Sequence, residues 1–250
     1  MSEAQKKPPI EALPSDVRAG VAAWTRSLEE TLGDDLVGIL VHGSVARGEY
    51  RPGESDVDAV VVLREATFGT LDSIAQAMQL GRYAARIEAM ILTEAEIPGA
   101  SDVFPLLYDE IKRCHFLLAG RDPFADVVVH DRHRRLRVEQ ELREARLRLR
   151  RSVIEAAGAR EALGGSVARK LRQVRQALHA LLQMKGIVCS PDTMNVLGKA
   201  GEIYAVDVAP LRSARETPEA AHAAFAALLD RAIDDANALP PASERMIPIP

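Results

Sequence analysis

The chain has 250 residues, of which 47% are hydrophobic, 27% are charged and 4% are aromatic, and its formal net charge is −4. These values fit one large or two small globular domains, and they exclude collagen-like, coiled-coil-only and wholly disordered chains. The negative net charge and the scarcity of aromatic residues argue against a histone-like or base-stacking protein, so nucleic acid is not an expected partner.

Helices and short apolar strands alternate in the first half of the chain. Apolar residues at spacings of three and four predict a helix over residues 16–32, with Gly33 as its stop signal. Strands are predicted over residues 36–42, 57–63, 84–92 and 115–119, and further helices over 70–80, which Gly81 closes, and over 102–114. This alternation predicts an α/β domain with a small mixed sheet flanked by helices.

The second half of the chain carries helical patterns and no strand signal. Amphipathic patterns predict helices over residues 132–158, 166–185 and 218–238. Ser190 and Pro191 indicate the start of another helix, with serine as the cap and proline in the first helical position. The sequence therefore predicts an α+β protein, with an α/β domain over residues 1–128 and an all-α helical bundle over residues 129–250. Residues 1–13 and the residues from 239 onwards are expected to be irregular tails.

Charge is distributed unevenly along the chain. Residues 1–130 carry 12 basic and 21 acidic side chains, a net charge of −9, whereas residues 131–185 carry 15 basic and 6 acidic side chains, a net charge of +9. This split indicates two modules and an anionic ligand near the basic segment. The competing interpretation is a solvated basic helix face, and it is the favoured one for residues 132–151.

The cysteines and the apolar segments indicate a cytoplasmic location. The two cysteines, Cys114 and Cys189, cannot form a disulfide framework or a cysteine zinc site. The first 16 residues have no apolar stretch of the kind found in signal peptides, and no apolar run is long enough to span a membrane. We therefore expect a cytoplasmic protein with no membrane partner.

Residues 41–62 have the pattern of a site for phosphates and metal ions. The first predicted strand is interrupted at Gly43 and Ser44, where glycine lets a phosphate approach the backbone and serine adds a hydroxyl donor. The following residues can open a short helix, whose free N–H groups favour an anion. Arg47 adds a positive charge that can grip a terminal phosphate.

Three acidic residues are candidates for holding metal ions. Asp56 and Asp58 project from the same face of a strand, because side chains at i and i+2 do so. Adjacent carboxylates repel each other unless a cation neutralises them, and Mg²⁺ is the natural partner because it binds carboxylate and triphosphate oxygens. Glu88, the one acid inside the third predicted strand, would complete a two-metal site. Glu94 and Glu96 follow that strand, and we expect them to cap a helix.

This segment resembles the signature of the DNA polymerase β-type nucleotidyltransferase superfamily. The form Gly-Ser-Val-Ala-Arg-Gly followed by Ser-Asp-Val-Asp is most similar to minimal nucleotidyltransferases and aminoglycoside adenylyltransferases. The resemblance implies that Gly43 and Ser44 bind nucleotide phosphates. It implies that Asp56, Asp58 and Glu88 are catalytic residues that hold two Mg²⁺ ions, with ATP or another nucleoside triphosphate as substrate. Glu88 is the best candidate for the general base.

The predicted helix over residues 166–185 offers cationic residues. Arg169 and Lys185 best fit the spacing at which aminoglycoside adenylyltransferases place an arginine and a lysine on ATP, so the resemblance implies nucleotide contacts for both. A merely solvated basic face is the alternative. The spacing of Arg172 and His179 also resembles the ribonuclease motif of the helical partners of minimal nucleotidyltransferases, although that spacing alone is a weak signal.

The resemblance implies an enzyme that transfers a nucleoside monophosphate, AMP from ATP in the leading hypothesis, to a hydroxyl of a small molecule and releases pyrophosphate. An aminoglycoside acceptor, with antibiotic resistance as the outcome, is one version. However, residues 159–168 contain one acid and no aromatic residue, so the acid-and-tryptophan contacts of streptomycin-modifying relatives have no clear match. The alternatives are a protein acceptor, as in nucleotidylating antitoxins, and a non-catalytic binding module, against which the retained acids argue.

Overall fold

A computed structural model describes residues 9–239, which divide into two compact units. The first unit takes the residues up to Ser101 and Leu107–Val128, and the second takes Asp102–Leu106 and the residues from Val129 onwards. The expected irregular tails lie largely outside the described residues, and Pro9–Ala12 forms a short 3₁₀ helix. Of the helices described, none is long and apolar enough to cross a membrane.

The first unit alternates helices and strands, as the sequence predicts. Its elements in chain order are α1 (Ser15–Leu32), β1 (Leu36–Val41), α2 (Gly43–Ala46), β2 (Val57–Leu63), α3 (Phe68–Ala85), β3 (Ile87–Thr93), α4 (Glu96–Gly99), α5 (Pro105–Arg113) and β4 (Phe116–Gly120). Helix α5 begins in the segment that groups with the second unit.

The four strands form one mixed sheet in the order β3-β2-β1-β4. Strand β1 is antiparallel to β2 and β4, whereas β2 and β3 are parallel. Strand β2 is buried along its length except for partial exposure at Asp58, because its alternate side chains are buried on both faces of the sheet. This explains why β2 reads as a continuous apolar run after Asp58. The predicted fold class, a small mixed sheet with flanking helices followed by a helical region, is confirmed.

Helix α3 does not end at Gly81, so that prediction was wrong. A Cβ atom on Gly81 would lie 2.5 Å from the Cδ1 atom of Trp24 on α1, and the glycine therefore allows the two helices to pack closely. The helix ends at Arg86, which has a φ of 51° and whose backbone N–H donates to the Gly81 carbonyl. Because the helix is longer, β3 begins at Ile87 rather than at residue 84.

The described part of the second unit is all helical, as the sequence predicts. Its elements are α6 (Asp131–Ala156), α7 (Arg160–Met184), α8 (Thr193–Tyr204), α9 (Ala209–Arg212) and α10 (Pro218–Ala238). Helix α7 begins earlier than predicted and runs through Gly164, where a Cβ atom would lie 2.6 Å from the Ala214 carbonyl oxygen. Helix α8 is capped by Asp192, whose side chain accepts a hydrogen bond from the Asn195 N–H, and not by Ser190.

Candidate functional site

The end of β1 and the start of β2 meet at Gly43 and Asp58. The backbone N–H of His42 donates to the Asp58 carbonyl at 3.0 Å, which continues the pairing of the two strands. Gly43 has a φ of 67°, and a Cβ atom there would lie 2.1 Å from Oδ2 of Asp58. Glycine is therefore required both for the backbone conformation and for space. The backbone of the turn thus lies directly against the Asp58 carboxylate.

Glu88 lies beside Asp58 on the neighbouring strand. The two residues are partners in the register of the parallel strands β2 and β3, so their side chains lie on the same face of the sheet. The Glu88 side chain is 50% exposed, and its Oε1 atom lies 3.3 Å from Nη2 of Arg82. The structure therefore brings together two of the three predicted metal-binding acids, with Glu88 accessible to solvent.

The third acid, Asp56, lies just before β2. Its Oδ1 atom is 2.9 Å from both Nε and Nη2 of Arg86, and its side chain is 43% exposed. Arg86 also donates to the Gly53 carbonyl and so ties the loop before β2 to the start of β3. Asp56 and Glu88 thus each have an arginine partner. The Asp58 carboxylate forms no hydrogen bond or ion pair within residues 9–239.

The charge of Asp58 is poorly compensated. The pKa of Asp58 is raised to about 6, chiefly by burial and next by the negative charge of Glu110, with smaller contributions from Asp56 and Glu88. The positive charge of Arg47 acts in the opposite direction. Burial also lowers the pKa of His42 below its usual range, so this histidine adds no positive charge near neutral pH.

Arg47 is buried between two glutamates rather than extended into solvent. Its Nε atom lies 2.9 Å from Oε2 of Glu49, and its Nη1 atom donates to Oε1 of Glu110 on α5. The Arg47 side chain is 11% exposed and that of Glu110 is 13% exposed. The sequence led us to expect that Arg47 binds a terminal phosphate. To do so, Arg47 would have to break its ion pair with Glu110.

Sequence reasoning missed Glu110. The residue is separated from Arg47 by 63 positions, and the sequence between them has no motif that links the two. The signal that was available is an acid within a short helix that also contributes the fully buried residues Tyr108 and Ile111. Such a helix is held closely by its surroundings, and a charged residue at its edge then needs a partner.

Ser44 offers a hydrogen-bond donor at the turn. The residue is half-buried, its carbonyl accepts from the Glu49 N–H at 2.8 Å, and its hydroxyl has no hydrogen-bond partner in the described part of the chain. The expectation that Glu94 and Glu96 cap a helix was wrong: Oε2 of Glu96 accepts from the Thr93 N–H and hydroxyl at the end of β3, and Glu94 pairs with Arg121. Glu96 is therefore set apart from the group formed by Asp56, Asp58 and Glu88.

The three acids fit a divalent cation by their chemistry. Carboxylates on adjacent strands are the oxygen donors that Mg²⁺ prefers, and the nearby carboxylate of Glu110 adds negative charge to that of Asp56 and Glu88 around Asp58. With the side chains as they stand, no group of three His, Cys, Asp or Glu residues within 9–239 is arranged to hold a metal ion. Asp56 and Glu88 would have to exchange their arginine partners for the ion.

The two nucleotide-binding candidates of the helical unit differ in their surroundings. Arg169 is exposed on α7 and forms no ion pair with any described residue. Lys185 follows α7, and its Nζ atom lies 2.8 and 2.7 Å from the two carboxylate oxygens of Asp235. The Tyr204 hydroxyl donates to the same carboxylate at 2.6 Å, and the Lys185 Nζ atom lies 5.7 Å from the Tyr204 ring centre.

Arg175 and His179 on α7 make structural contacts. Nη1 of Arg175 donates to the Pro191 carbonyl at 2.9 Å, and Nε2 of His179 lies 3.2 Å from the Cys189 carbonyl oxygen. His179 is 3% exposed, whereas Arg172 is exposed. The spacing of Arg172 and His179 therefore does not form an accessible ribonuclease-like pair.

The comparisons with known proteins agree with this geometry. Residues 26–148 match the family model described as the nucleotidyltransferase domain. The predicted resemblance to nucleotidyltransferases is therefore confirmed over this segment. The matched segment contains the Gly43–Ser44 turn and the acids Asp56, Asp58 and Glu88.

A solved structure with a similar fold is spectinomycin adenyltransferase AAD(9) from Enterococcus faecialis, determined with ATP and spectinomycin. The two chains are 13% identical, the match covers 88% of this chain and 98% of that chain, and the TM-score is 0.52. At this identity the similarity shows the fold alone. No curated protein sequence matches the chain significantly.

Proposed function

We propose that this protein is a Mg²⁺-dependent enzyme that transfers AMP from ATP to a hydroxyl group of a small molecule. The observation that carries the proposal is the half-buried Asp58 carboxylate, which forms no ion pair or hydrogen bond within residues 9–239, lies against the Gly43 turn and is in register with Glu88. Its position within a segment that matches the nucleotidyltransferase domain supports the same conclusion.

The turn after β1 would bind the triphosphate. Gly43 brings the backbone of the turn against Asp58, so a phosphate held there would lie beside the metal-binding acids, and the Ser44 hydroxyl is available to donate a hydrogen bond. Asp56, Asp58 and Glu88 would hold two Mg²⁺ ions. When bound, these ions would neutralise the charge on the transferred phosphoryl group. The protein itself contributes mostly by positioning the reactants and by electrostatic complementarity.

Glu88 is the proposed general base. In the transfer step the acceptor oxygen forms a bond to the α-phosphorus of ATP, the bond from that phosphorus to the bridging oxygen breaks, and pyrophosphate leaves with the electron pair. The acceptor's proton passes to the Glu88 carboxylate, whose half-exposed position allows it to meet a hydroxyl that enters from solvent.

Arg169 and Lys185 remain proposed contacts to the nucleotide. Arg169 is exposed and has no ion-pair partner in the described residues, so it is available to a phosphate. Lys185 must leave Asp235 to make such a contact. For Lys185 the exchange replaces one anionic partner with another, so its net contribution to affinity is expected to be small.

The acceptor is proposed to be a cationic small molecule of the aminoglycoside type. The excess of acidic residues over residues 1–130 supports a cationic acceptor. The fold neighbour was solved with ATP and spectinomycin, which makes spectinomycin the first acceptor to try.

The test is a pyrophosphate-release assay with each nucleoside triphosphate and a panel of acceptors, with and without Mg²⁺. We expect release with ATP that depends on both the acceptor and Mg²⁺, and a decrease of about a hundredfold for Glu88→Gln. A decrease smaller than tenfold at saturating Mg²⁺ would move the base to another carboxylate. Release that requires a protein instead of a small molecule would support the alternative of a protein-modifying regulator.

A further inference from the structure

Arg47 is a largely buried arginine in the proposed site, and several carboxylates lie near it. Arg47 follows α2 directly, within the same turn that places Gly43 against Asp58. Its guanidinium pairs with Glu49 and Glu110, and it also acts on the charge of Asp58. A guanidinium has five N–H donors and pairs readily with any carboxylate that its fork can reach.

Glu110 is presented by a firmly anchored helix. On α5, Tyr108 and Ile111 are fully buried, and the ring of Tyr108 packs edge-to-face on Phe124 with ring centres 5.2 Å apart. Nδ1 of His115 lies 2.7 Å from the Ile111 carbonyl oxygen, and its Nε2 atom lies 3.3 Å from Oδ2 of Asp122. Glu110 therefore has a fixed position from which it can hold the arginine.

An arginine that reached Asp58 would inactivate the site as we describe it. The Asp58 carboxylate has no ion pair or hydrogen bond of its own inside residues 9–239, and the turn that leads into Arg47 lies directly against it at Gly43. Pairing with Arg47 would occupy the oxygens that a divalent cation needs and would cancel the charge that attracts it.

We propose that Glu110 is a positioning residue that holds Arg47 away from Asp58 and so keeps the Asp58 carboxylate available to a divalent cation. The proposal rests on the proposed function, because it assigns Asp58 to the metal ion. In this proposal Arg47 competes with the cation for the Asp58 carboxylate, and Glu110 restrains Arg47 from doing so. Loss of Glu110 then impairs the site because the arginine is released, and not because a ligand of the cation is lost.

The test is a double-mutant cycle on the full chain, with Mn²⁺ alone as the probe and its binding measured by electron paramagnetic resonance. We expect Glu110→Gln to weaken Mn²⁺ binding by about tenfold, the lower end of the effects seen for residues that support metal ligands. Arg47→Gln should bind Mn²⁺ as well as the wild type or more tightly. The Glu110→Gln/Arg47→Gln double variant should regain the affinity that Glu110→Gln loses.

Recovery in the double variant is the result that a merely structural role would not produce. The matched control is Glu94→Gln, which breaks the ion pair with Arg121 in the same unit and should leave Mn²⁺ binding unchanged. In the transfer assay, Glu110→Gln should lower kcat, and the double variant should recover kcat. The KM for ATP of the double variant should match that of Arg47→Gln.

Two results would overturn the proposal. One is an unchanged affinity for Mn²⁺ in Glu110→Gln, and the other is a double variant that binds more weakly than Glu110→Gln. If Glu110→Gln fails to fold, the Arg47→Gln variant decides, because weaker Mn²⁺ binding there contradicts a competing role for Arg47. A wild-type protein that transfers no nucleotide to any acceptor would contradict the proposed function instead.

Discussion

The two units of the protein neutralise their charges to different extents. On α6, in the helical unit, five arginines pair with glutamates one turn away: Arg135 and Arg143 with Glu139, Arg137 with Glu141, Arg148 with Glu144 and Arg151 with Glu155. Arg146 pairs with Asp230 on α10. In the sheet unit, by contrast, Asp58 is buried without an ion-pair partner in the described residues, and its pKa is raised to about 6.

The difference shows which charges belong to the fold and which are available for function. Exposed ion pairs one helical turn apart contribute only about 0.3–0.5 kcal/mol each and form wherever the sequence allows them. A buried carboxylate without a partner opposes folding, and such groups are concentrated at functional sites. Large net charge in a segment is therefore a weaker indicator of a site than a single uncompensated charge.

The sharpest way to test this difference is to remove the uncompensated charge. We expect Asp56→Asn combined with Asp58→Asn to abolish transfer, because both carboxylates are proposed to hold the metal ions, and to leave the fold intact, because both lie at the mouth of β2. The assay is pyrophosphate release together with thermal unfolding. The control is Asp72→Asn, an exposed acid on α3. Transfer at the wild-type rate in the double variant would show that the site lies elsewhere.

The close approach of the turn to Asp58 can be tested at Gly43. Alanine there would require a left-handed backbone and would place Cβ 2.1 Å from Oδ2 of Asp58. We expect Gly43→Ala to lower the free energy of unfolding by about 2 kcal/mol or more and to lower kcat by about a hundredfold, because it displaces a catalytic group.

Gly53 provides the control for backbone strain. It also has a positive φ, of 78°, but nothing lies within 4 Å of the position its Cβ would take. Gly53→Ala should therefore cost about 1 kcal/mol of stability, from the left-handed backbone alone, with a small effect on transfer. Equal losses of activity in the two variants would mean that contact with Asp58 is not what requires glycine at position 43.

The charge on Asp58 should also be visible in the stability of the metal-free protein. Its pKa rises from 3.8 to about 6 on folding, so the folded state holds this proton more tightly than the unfolded chain does. Deprotonation therefore opposes folding. Relative to Asp58→Asn, the wild type should lose at most about 3 kcal/mol as the pH rises through this window, at about 1.4 kcal/mol per pKa unit.

Chemical denaturation in EDTA between pH 3 and pH 8 would measure this effect. The comparison with Asp58→Asn removes the titration of other carboxylates, although Glu110, Arg47, Asp56 and Glu88 all face Asp58 electrostatically and affect the size of the difference. The two proteins should be equally stable at the acidic end, and the variant should be more stable at the basic end. A constant difference across the pH range would show that the Asp58 pKa is not raised.

The smallest effects are expected in the helical unit. If Arg169 contacts ATP, Arg169→Ala should weaken ATP binding by about tenfold, or about 1.4 kcal/mol, whereas Lys185→Ala should weaken it less because Lys185 already pairs with Asp235. The control is Arg148→Ala, which removes only the pair with Glu144. Calorimetric titration with ATP and Mg²⁺ measures all three. Equal affinities would mean that the basic face of α7 is only solvated.

The sequence predicts the elements of the fold well where local pattern decides them. Strand β2 and helix α10 have the predicted bounds. The errors lie where distant packing decides: Gly81 is a contact to Trp24 and not a helix end, and Gly164 lies inside α7, where its lack of a side chain makes room for the Ala214 backbone. At these two positions glycine does not end the helix, because another part of the chain packs against it. The local sequence does not show which glycines are packed in this way.

The same division holds for the candidate site. The Gly43–Ser44 turn and the three acids could be identified from the sequence, because the alternation of side chains along a strand and the backbone freedom of glycine are local properties of a few residues. Glu110 was missed because its contact with Arg47 joins residues 63 positions apart. His179, a weak signal in the sequence, is held by the Cys189 carbonyl, which lies in a loop that folds back on α7. Helical spacing places residues on a face, but the packing of that face decides whether they are accessible.

The most direct test of the proposed function follows the phosphates of ATP. ATP labelled at the α-phosphate and ATP labelled at the γ-phosphate would each be incubated with the protein, Mg²⁺ and spectinomycin or another acceptor from the panel. We predict that the α-label appears on the acceptor, that the γ-label appears in pyrophosphate, and that Asp56→Asn/Asp58→Asn transfers neither. A γ-label on the acceptor, or no label on any acceptor, would contradict nucleotidyl transfer at this site.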